Sequence, residues 1–245
     1  MVKGRVAAAV GAVVLGVAAL AAQPTRPSTP SVILVPTKEP TERNALLRLA
    51  SAPNGVSFDI DGDGRREQVS WTEPTADVGF LALDRNRNGI IDNGRELFGS
   101  HAVPGASNGF DALALARGSS PAATQTRAVP LAGIDVFVPD YNKSWVQIDH
   151  YDALFARLLL WTDRNHDGIF DRSEVVRVNG WLAEIGLNYD YDRRVDPFGN
   201  RYAFKGWANV RPALGKLRAT ASDKAETALG QLDIYDVFLV SAPSR

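Results

Sequence analysis

The stretch TDRNHDGIFDRSE, residues 162–174, places oxygen-bearing side chains at alternate positions around a glycine. An EF-hand calcium loop requires this order: oxygens at positions 1, 3, 5 and 9, a backbone carbonyl at 7, glycine at 6 and glutamate at 12. We call residues 163–174 loop C. The predicted ligands are Asp163, Asn165, Asp167, the carbonyl of Ile169, Asp171 and Glu174. The alternative is a hydrated turn without metal, which we favour less because its crowded carboxylates would repel one another.

Two earlier stretches repeat much of this pattern. In FDIDGDGRREQVSW, residues 58–71, the predicted ligands of loop A (residues 59–67) are Asp59, Asp61, Asp63, the carbonyl of Arg65 and Glu67. In LDRNRNGIIDNGRELFG, residues 83–99, the predicted ligands of loop B (residues 84–96) are Asp84, Asn86, Asn88, the carbonyl of Ile90, Asp92 and Glu96. Loop A lacks a glutamate at position 12, and in loop B Glu96 comes one residue late, so that loop must bulge. An ion-free turn is the alternative for both loops.

A fourth stretch, VPDYNKSWVQIDHYDALF at residues 138–155, departs further from the pattern. Trp145 stands where the glycine is expected, and Lys143 adds a positive charge that would repel a cation. We therefore favour a degenerate loop at residues 140–152, in which Asp149 or Asp152 caps a following helix. The sequence leaves metal binding there open.

The beginning of the chain predicts export. Lys3 and Arg5 precede an apolar run of 15 residues, and Ala19-Leu20-Ala21 fits a cleavage site, so residues 1–22 are predicted to be a signal peptide. A membrane anchor is the less favoured alternative, since a spanning helix needs roughly 20 residues. Residues 23–30 (QPTRPSTP) are typical of a linker. We therefore expect a secreted or periplasmic protein.

The rest of the chain, residues 31–245, is predicted to form a single calcium-binding domain, with subdomains 31–115 and 131–245 as the alternative division. The chain has no cysteine, so metal ions are the expected substitute for disulfides. A net charge of −1 argues against nucleic-acid binding. We expect no membrane span after signal cleavage, and a monomer.

The pattern of apolar residues predicts an α+β fold of short strands and calcium loops. Strands are expected at residues 31–35 and 232–240, and a C-terminal hairpin around the turn DPFGN at residues 196–200. Residues 151–161 carry apolar side chains at helical spacing, namely Leu154, Phe155, Leu158 and Leu159, and residues 174–185 are a second helix candidate. Together these two segments predict an EF-hand helix-loop-helix around loop C.

The succession of loops A, B and C, with NGFDALA at residues 108–114, LNYDYDRRVDPFGNRYAF at 187–204 and YDVFLV at 235–240, resembles a family of secreted bacterial EF-hand-like proteins. Similar segments occur in large exported proteins of the haemolysin and adhesin kinds. The resemblance covers roughly residues 31–240 and implies calcium binding, but no reaction. Members usually carry NGDGVID where this chain has NKSWVQID at residues 142–149, which places a fourth site in doubt.

No known catalytic motif indicates an enzyme. The three histidines are His101, His150 and His166, and none belongs to an HExxH or GxSxG pattern. His166, at loop position 4, is expected to point outward. The sequence therefore predicts a calcium-binding protein whose loops, holding about three Ca²⁺ ions, stabilise the fold outside the cytoplasm. The alternative is a calcium-dependent carbohydrate- or protein-binding adhesion module, for which the aromatic residues would supply a face. A calcium-dependent hydrolase is less favoured.

Overall fold

The apolar run Ser31–Pro36 forms strand β1 at the centre of an antiparallel sheet. All six of its residues are buried, as a strand with both faces covered requires. β1 pairs with the last strand on one side, in a register that joins Ser31 to Phe238, and with Val78–Ala82 on the other. The first and last strands predicted from the sequence are therefore confirmed.

The computed structural model describes residues 31–37, 46–118, 127–131, 134–138, 147–211 and 230–242. Its strands are β1 (Ser31–Pro36), β2 (Val56–Phe58), β3 (Glu67–Val69), β4 (Val78–Ala82), β5 (Arg127–Leu131), β6 (Ile134–Val138), β7 (Gln147–Asp149), β8 (Leu159–Trp161), β9 (Val175–Arg177), β10 (Leu182–Gly186), β11 (Asp190–Tyr191), β12 (Arg201–Val210) and β13 (Gln231–Phe238). Helix α1 spans Gly109–Arg117. Short 3₁₀ turns lie at Ala52–Asn54, Phe155–Arg157, Arg172–Glu174 and Val178–Gly180. The predicted signal peptide and linker lie outside the described residues.

The main sheet has nine strands, in the order β7-β10-β12-β13-β1-β4-β8-β9, with β11 paired to β12. Alternate residues of β1 enter two different hydrophobic clusters, Ile33 and Val35 on one face and Val32 and Leu34 on the other. Helix α1 covers the first face, and the separate β2–β3 hairpin covers the second. The core therefore has two layers, with the sheet between them.

Helix α1 is bounded by two capping residues. Asn108 accepts a hydrogen bond from the amide of Asp111 at the N-terminus, and Gly118 ends the helix in the left-handed conformation. No α-helix was predicted at these residues. In the described part of the chain, no helix is long and apolar enough to cross a membrane.

The predicted α+β fold with an EF-hand helix-loop-helix is wrong. Residues 155–157 form only a 3₁₀ turn, and residues 159–161 form β8, which pairs with β4. After loop C, residues 175–177 form β9, which returns alongside β8. Strand pairing on both sides of loop C thus satisfies the backbone that the prediction assigned to helices. Among the described residues α1 is the single α-helix, and the fold is mainly antiparallel β-sheet.

Candidate metal centre

Each of the three candidate metal loops joins two antiparallel backbone segments. Loop A connects β2 to β3, and loop C connects β8 to β9. Loop B leaves β4 and returns beside it, where Ala82 bridges to Leu97 and the amide of Phe98 donates to the carbonyl of Leu81. The loops are therefore the closing turns of hairpins, not the connections between helices.

The three loops share one backbone conformation. Their fourth and sixth residues have positive φ angles, which L-residues rarely adopt and glycine adopts readily. The values are 72° and 92° for Gly62 and Gly64, 61° and 88° for Arg87 and Gly89, and 59° and 66° for His166 and Gly168. Arg87 and His166 take this conformation without being glycine, so the surrounding loop holds them in it.

A common set of hydrogen bonds holds this conformation. In loop C, Asp163 accepts from the amide of Gly168 at 2.9 Å, Asn165 from the amide of Asp167 at 3.2 Å, and Asp167 from the amide of Ile169 at 2.7 Å. The side chains at positions 1, 3 and 5 therefore turn inward. The same bonds recur in loop A, from Gly64 to Asp59, Asp63 to Asp61 and Arg65 to Asp63, and in loop B, from Gly89 to Asp84, Asn88 to Asn86 and Ile90 to Asn88.

A glutamate closes each loop from the same side. Oε1 of Glu174 accepts hydrogen bonds from the amides of the second and third loop residues, Arg164 at 2.8 Å and Asn165 at 3.0 Å. Oε2 of Glu174 is buried and has no hydrogen-bond partner. In loop A, Glu67 accepts from the amide of the second residue, Ile60, at 3.2 Å. Glu67, at position 9, thus accepts one of the two backbone hydrogen bonds that Glu174 accepts from position 12.

Loop A brings its acidic groups closest together. One oxygen each of Asp59, Asp61 and Glu67 lie within 4.8 Å of one another, close enough to share a metal ion. This is the one such group of three acidic or histidine ligands in the part of the chain that the structure describes. In loop B two of the predicted ligands are asparagines, Asn86 and Asn88, and Asp92 accepts from the amide groups of both side chains.

Burial disfavours the ionised form of three carboxylates in these loops. Burial raises the pKa of Asp163, and hydrogen bonds from the amides of Gly168 and Asp167 and from Trp71 offset only part of that shift. Burial also raises the pKa of Glu67 and of Glu96. A bound cation would favour the charged form of all three. An all-oxygen donor set suits hard cations such as Ca²⁺, and the buried Oε2 of Glu174, which has no hydrogen-bond partner, could serve as one of the ligands.

Loop C packs against the hairpin that loop A closes. The indole Nε1 of Trp71 donates to Oδ2 of Asp163 at 2.8 Å, in a buried contact. The ring nitrogens of His166 lie 2.8 Å from the carbonyl oxygen of Thr72 and 2.7 Å from that of Asn54. The His166 side chain therefore points out of loop C, as expected, and lies against two backbone carbonyls of the neighbouring hairpin.

The fourth candidate stretch lies partly outside the described residues, including Asp140 and Asn142. Asp149 accepts from the amide of Tyr151, and Asp152 forms an ion pair with Arg117 at the end of α1. No α-helix follows in the described residues 147–211, so neither aspartate caps one. The contact with Arg117 gives Asp152 a structural partner.

The aromatic residues mainly pack the interior. Trp71 and Trp161 are fully buried and contact Phe58 and Phe80. Tyr189 stacks on Phe110 of α1 at 5.2 Å. These contacts favour core packing over a binding face, although Trp145 lies outside the described residues.

One buried carboxylate outside the loops, Asp236 on β13, was missed from the sequence. It is fully buried, its Oδ2 accepts from the Ser31 hydroxyl and the amide of Gly109, and its Oδ1 has no partner. Burial raises the pKa of Asp236 to about 7. The signal was present in the sequence, because an aspartate interrupts the apolar run of the last strand in YDVFLV.

Comparisons with known proteins cover part of the chain. Residues 45–119, which contain loops A and B, match the model of the SPM domain. A stretch of 137 residues is 36% identical to the iron-regulated protein FrpA of Neisseria meningitidis serogroup C. That match covers 54% of this chain and 10% of the relative, so the chain spans about a tenth of the length of the curated relative it matches.

Proposed function

We propose that this chain is a calcium-binding protein in which loops A, B and C each hold one Ca²⁺ ion and thereby stabilise the hairpins that they close. The observation that carries the proposal is the shared backbone of the three loops, with left-handed residues at positions 4 and 6 and the same inward-facing oxygens. If the loops were unrelated turns without metal, there would be no reason for all three to share this conformation.

The proposed ligands follow from the geometry and the sequence pattern together. Asp59, Asp61 and Glu67 would supply three of the four acidic ligands of loop A, where their oxygens already converge. In loop C, Glu174 would offer its free Oε2 while Oε1 remains bonded to the backbone amides of Arg164 and Asn165. Calcium tolerates the irregular coordination that such loops offer, whereas Mg²⁺ requires a near-ideal octahedron.

The role of calcium would be structural, and it would operate outside the cytoplasm. The signal peptide predicted at residues 1–22 supports a secreted or periplasmic location. Extracellular calcium modules bind with dissociation constants of roughly 10⁻⁴ to 10⁻³ M. Sites of that strength would be empty at cytosolic calcium concentrations and filled after export. The chain would then complete its fold only in the compartment where it acts.

Native mass spectrometry of the folded protein tests the proposal. In about 10 mM calcium, tenfold above the weakest dissociation constant expected, the protein should carry three Ca²⁺ ions, and in a chelator none. Replacing the third and fifth residues of one loop by alanine, for example Asn165→Ala with Asp167→Ala, should lower the count by one. Both side chains are exposed and their hydrogen bonds lie within loop C, so the main sheet should tolerate the change. Magnesium at the same concentration is the control and should leave the sites largely empty. A protein that binds no calcium would contradict the proposal.

A further inference from the structure

Loop C contacts the two chain segments at the open end of the β2–β3 hairpin, opposite loop A. The His166 ring lies between the carbonyl oxygen of Asn54, which precedes β2, and that of Thr72, which follows β3. A carbonyl oxygen only accepts hydrogen bonds, so a neutral ring donates to one of the two and a protonated ring to both. In either state the ring lies against two chain segments that loop A joins at the other end of the hairpin. Movement of either segment would break a contact of loop C.

The Arg66 side chain forms a second connection. Its guanidinium donates to the carbonyl oxygen of Ser57 in β2 and, at 3.1 Å, to that of Gly168 in loop C. Gly168 also lies directly against β2, since a Cβ at this position would be 2.8 Å from a methyl carbon of Val56. The sixth residue of loop C therefore contacts the hairpin on two sides.

The third connection reaches a predicted metal ligand. Trp71 donates to Asp163, the first residue of loop C, and its ring is packed 5.1 Å from that of Phe58. Phe58 directly precedes Asp59, the first residue of loop A. Because Trp71 and Phe58 are both fully buried, neither ring can shift without disturbing the other. A continuous series of contacts thus joins the first ligand of loop A to the first ligand of loop C.

We infer that loops A and C bind calcium with positive cooperativity, each ion ordering the hairpin contacts on which the other site depends. This inference rests on the calcium-binding function proposed above. An ion in loop A would fix the β2–β3 hairpin. It would thereby fix the two carbonyls that contact His166 and the Trp71 indole that donates to Asp163. The second ion then binds a loop whose ordering has already taken place, which raises its affinity. Reciprocity requires that calcium in loop C strengthen loop A by the same factor.

The test measures the coupling directly. In a background in which loop B is disabled by Asn86→Ala and Asn88→Ala, calorimetric titration gives the two dissociation constants of the two-site protein. Two further proteins in that background retain one site each, after Asp61→Ala with Asp63→Ala or Asn165→Ala with Asp167→Ala. The product of the two single-site dissociation constants should exceed the product for the two-site protein by at least about fivefold, the lower range of allosteric coupling.

A matched pair of tryptophan variants tests the proposed route. Trp71→Phe keeps an aromatic ring but removes the donor to Asp163, and should reduce the coupling factor towards one. Trp161→Phe is the control, because Trp161 is buried in the same aromatic cluster and its Nε1 has no hydrogen-bond partner. It should leave the coupling unchanged. If Trp71→Phe does not fold, Arg66→Met replaces it and should lower the coupling factor at least twofold.

The outcomes separate this inference from the proposed function. Absence of calcium binding in both single-site proteins would contradict the calcium proposal itself. Binding in both, with a coupling factor of one in the two-site protein, would overturn the cooperativity alone. Equal coupling factors in folded Trp71→Phe and Trp161→Phe proteins would overturn the route through Asp163.

Discussion

Glu96 and Glu174 make the same pair of hydrogen bonds in loops B and C. Glu96 accepts from the amides of Arg85 and Asn86, the second and third residues of its loop, as Glu174 does from Arg164 and Asn165. Glu174 is the twelfth residue of loop C, whereas Glu96 is the thirteenth of loop B. A further bond, from the amide of Asp92 to Oε2 of Glu96, accompanies the extra residue. The bulge expected in loop B thus leaves its glutamate in an equivalent place.

The position of Glu174 leads to a prediction about affinity. Glu174→Gln replaces one carboxylate oxygen of a proposed direct ligand by an amide group and removes its charge. The dissociation constant of loop C should therefore rise by at least about tenfold, the effect already produced by changing residues that only support a metal ligand. Glu184→Gln is the control, since Glu184 lies on β10, outside the three loops, and accepts from the Asn209 side chain. Titration calorimetry measures both. Similar dissociation constants for the two variants would contradict the role given to Glu174.

Calcium should also raise the melting temperature. An ion that binds only the folded state adds about 1.4 kcal/mol per site to the free energy of unfolding at a tenfold excess over the dissociation constant. Calorimetric melts in chelator and in about 10 mM calcium, tenfold above the weakest dissociation constant expected, measure this effect, with magnesium as the control ion. Identical melting curves in chelator and calcium would rule out a structural role for the ion.

The two glycines at position 6 of loops A and C should respond differently to substitution. Gly64 and Gly168 both have positive φ angles, but a Cβ at Gly64 would meet no atom within 4 Å, whereas one at Gly168 would collide with Val56. Gly64→Ala should therefore cost only the backbone strain, about 1–2 kcal/mol. Gly168→Ala should destabilise the protein by more, because the hairpin must move. Urea unfolding of both variants in chelator separates the backbone strain from the collision with Val56. Equal losses of stability in the two variants would mean that Gly168 is not tightly packed against β2.

Asp236 predicts a pH dependence of stability. Its folded-state pKa of about 7 lies above the ordinary value of 3.8, so the folded protein binds this proton more tightly than the unfolded chain. The resulting stability is complete below pH 4 and is lost as the pH rises towards 7, by up to about 1.4 kcal/mol per pH unit. Asp236→Asn removes this dependence.

The difference in the free energy of unfolding between the wild-type protein and Asp236→Asn removes the contributions that other carboxylates make to both proteins. The free energy of unfolding of the wild-type protein, minus that of Asp236→Asn, should fall between pH 5 and pH 8 in denaturant titrations. A difference that stays constant over this range would show that Asp236 does not change its protonation state there.

Local rules predicted some elements of the fold and failed for others. A continuous apolar run predicted β1, and glycines in an Asp/Asn-rich repeat predicted the sharp turns of the loops. The helix expected at residues 151–161 does not form. Leu154, Phe155 and Leu158 are buried, but they lie in and beside a 3₁₀ turn, and the residues that follow form β8, which pairs with β4. Short apolar runs do not distinguish a strand from a helix. The partner strand that decides between them is distant in sequence.

In the candidate site too, the sequence predicts local features and does not predict contacts between distant residues. The spacing of the acidic residues identified the loops, because each loop is a local structure. Nothing local indicates that Trp71 donates to Asp163, since 92 residues separate them. Helix α1 is a different case: Asn108 and Gly118 are ordinary capping residues, and the start and stop signals that they provide were readable in the sequence.

The pairing of β1 with β13 has a consequence for the order of folding. Ser31 and Phe238 are register partners, so the central pair of the sheet joins residues separated by most of the chain. β13 also pairs with β12, and no other described strand connects β12 to β1. Contacts of such long sequence separation form slowly, since a long loop must close first. A chain that emerges from a ribosome or a translocation channel with its N-terminus first cannot assemble this sheet until residues 231–238 have emerged, so folding must follow delivery of nearly the whole domain.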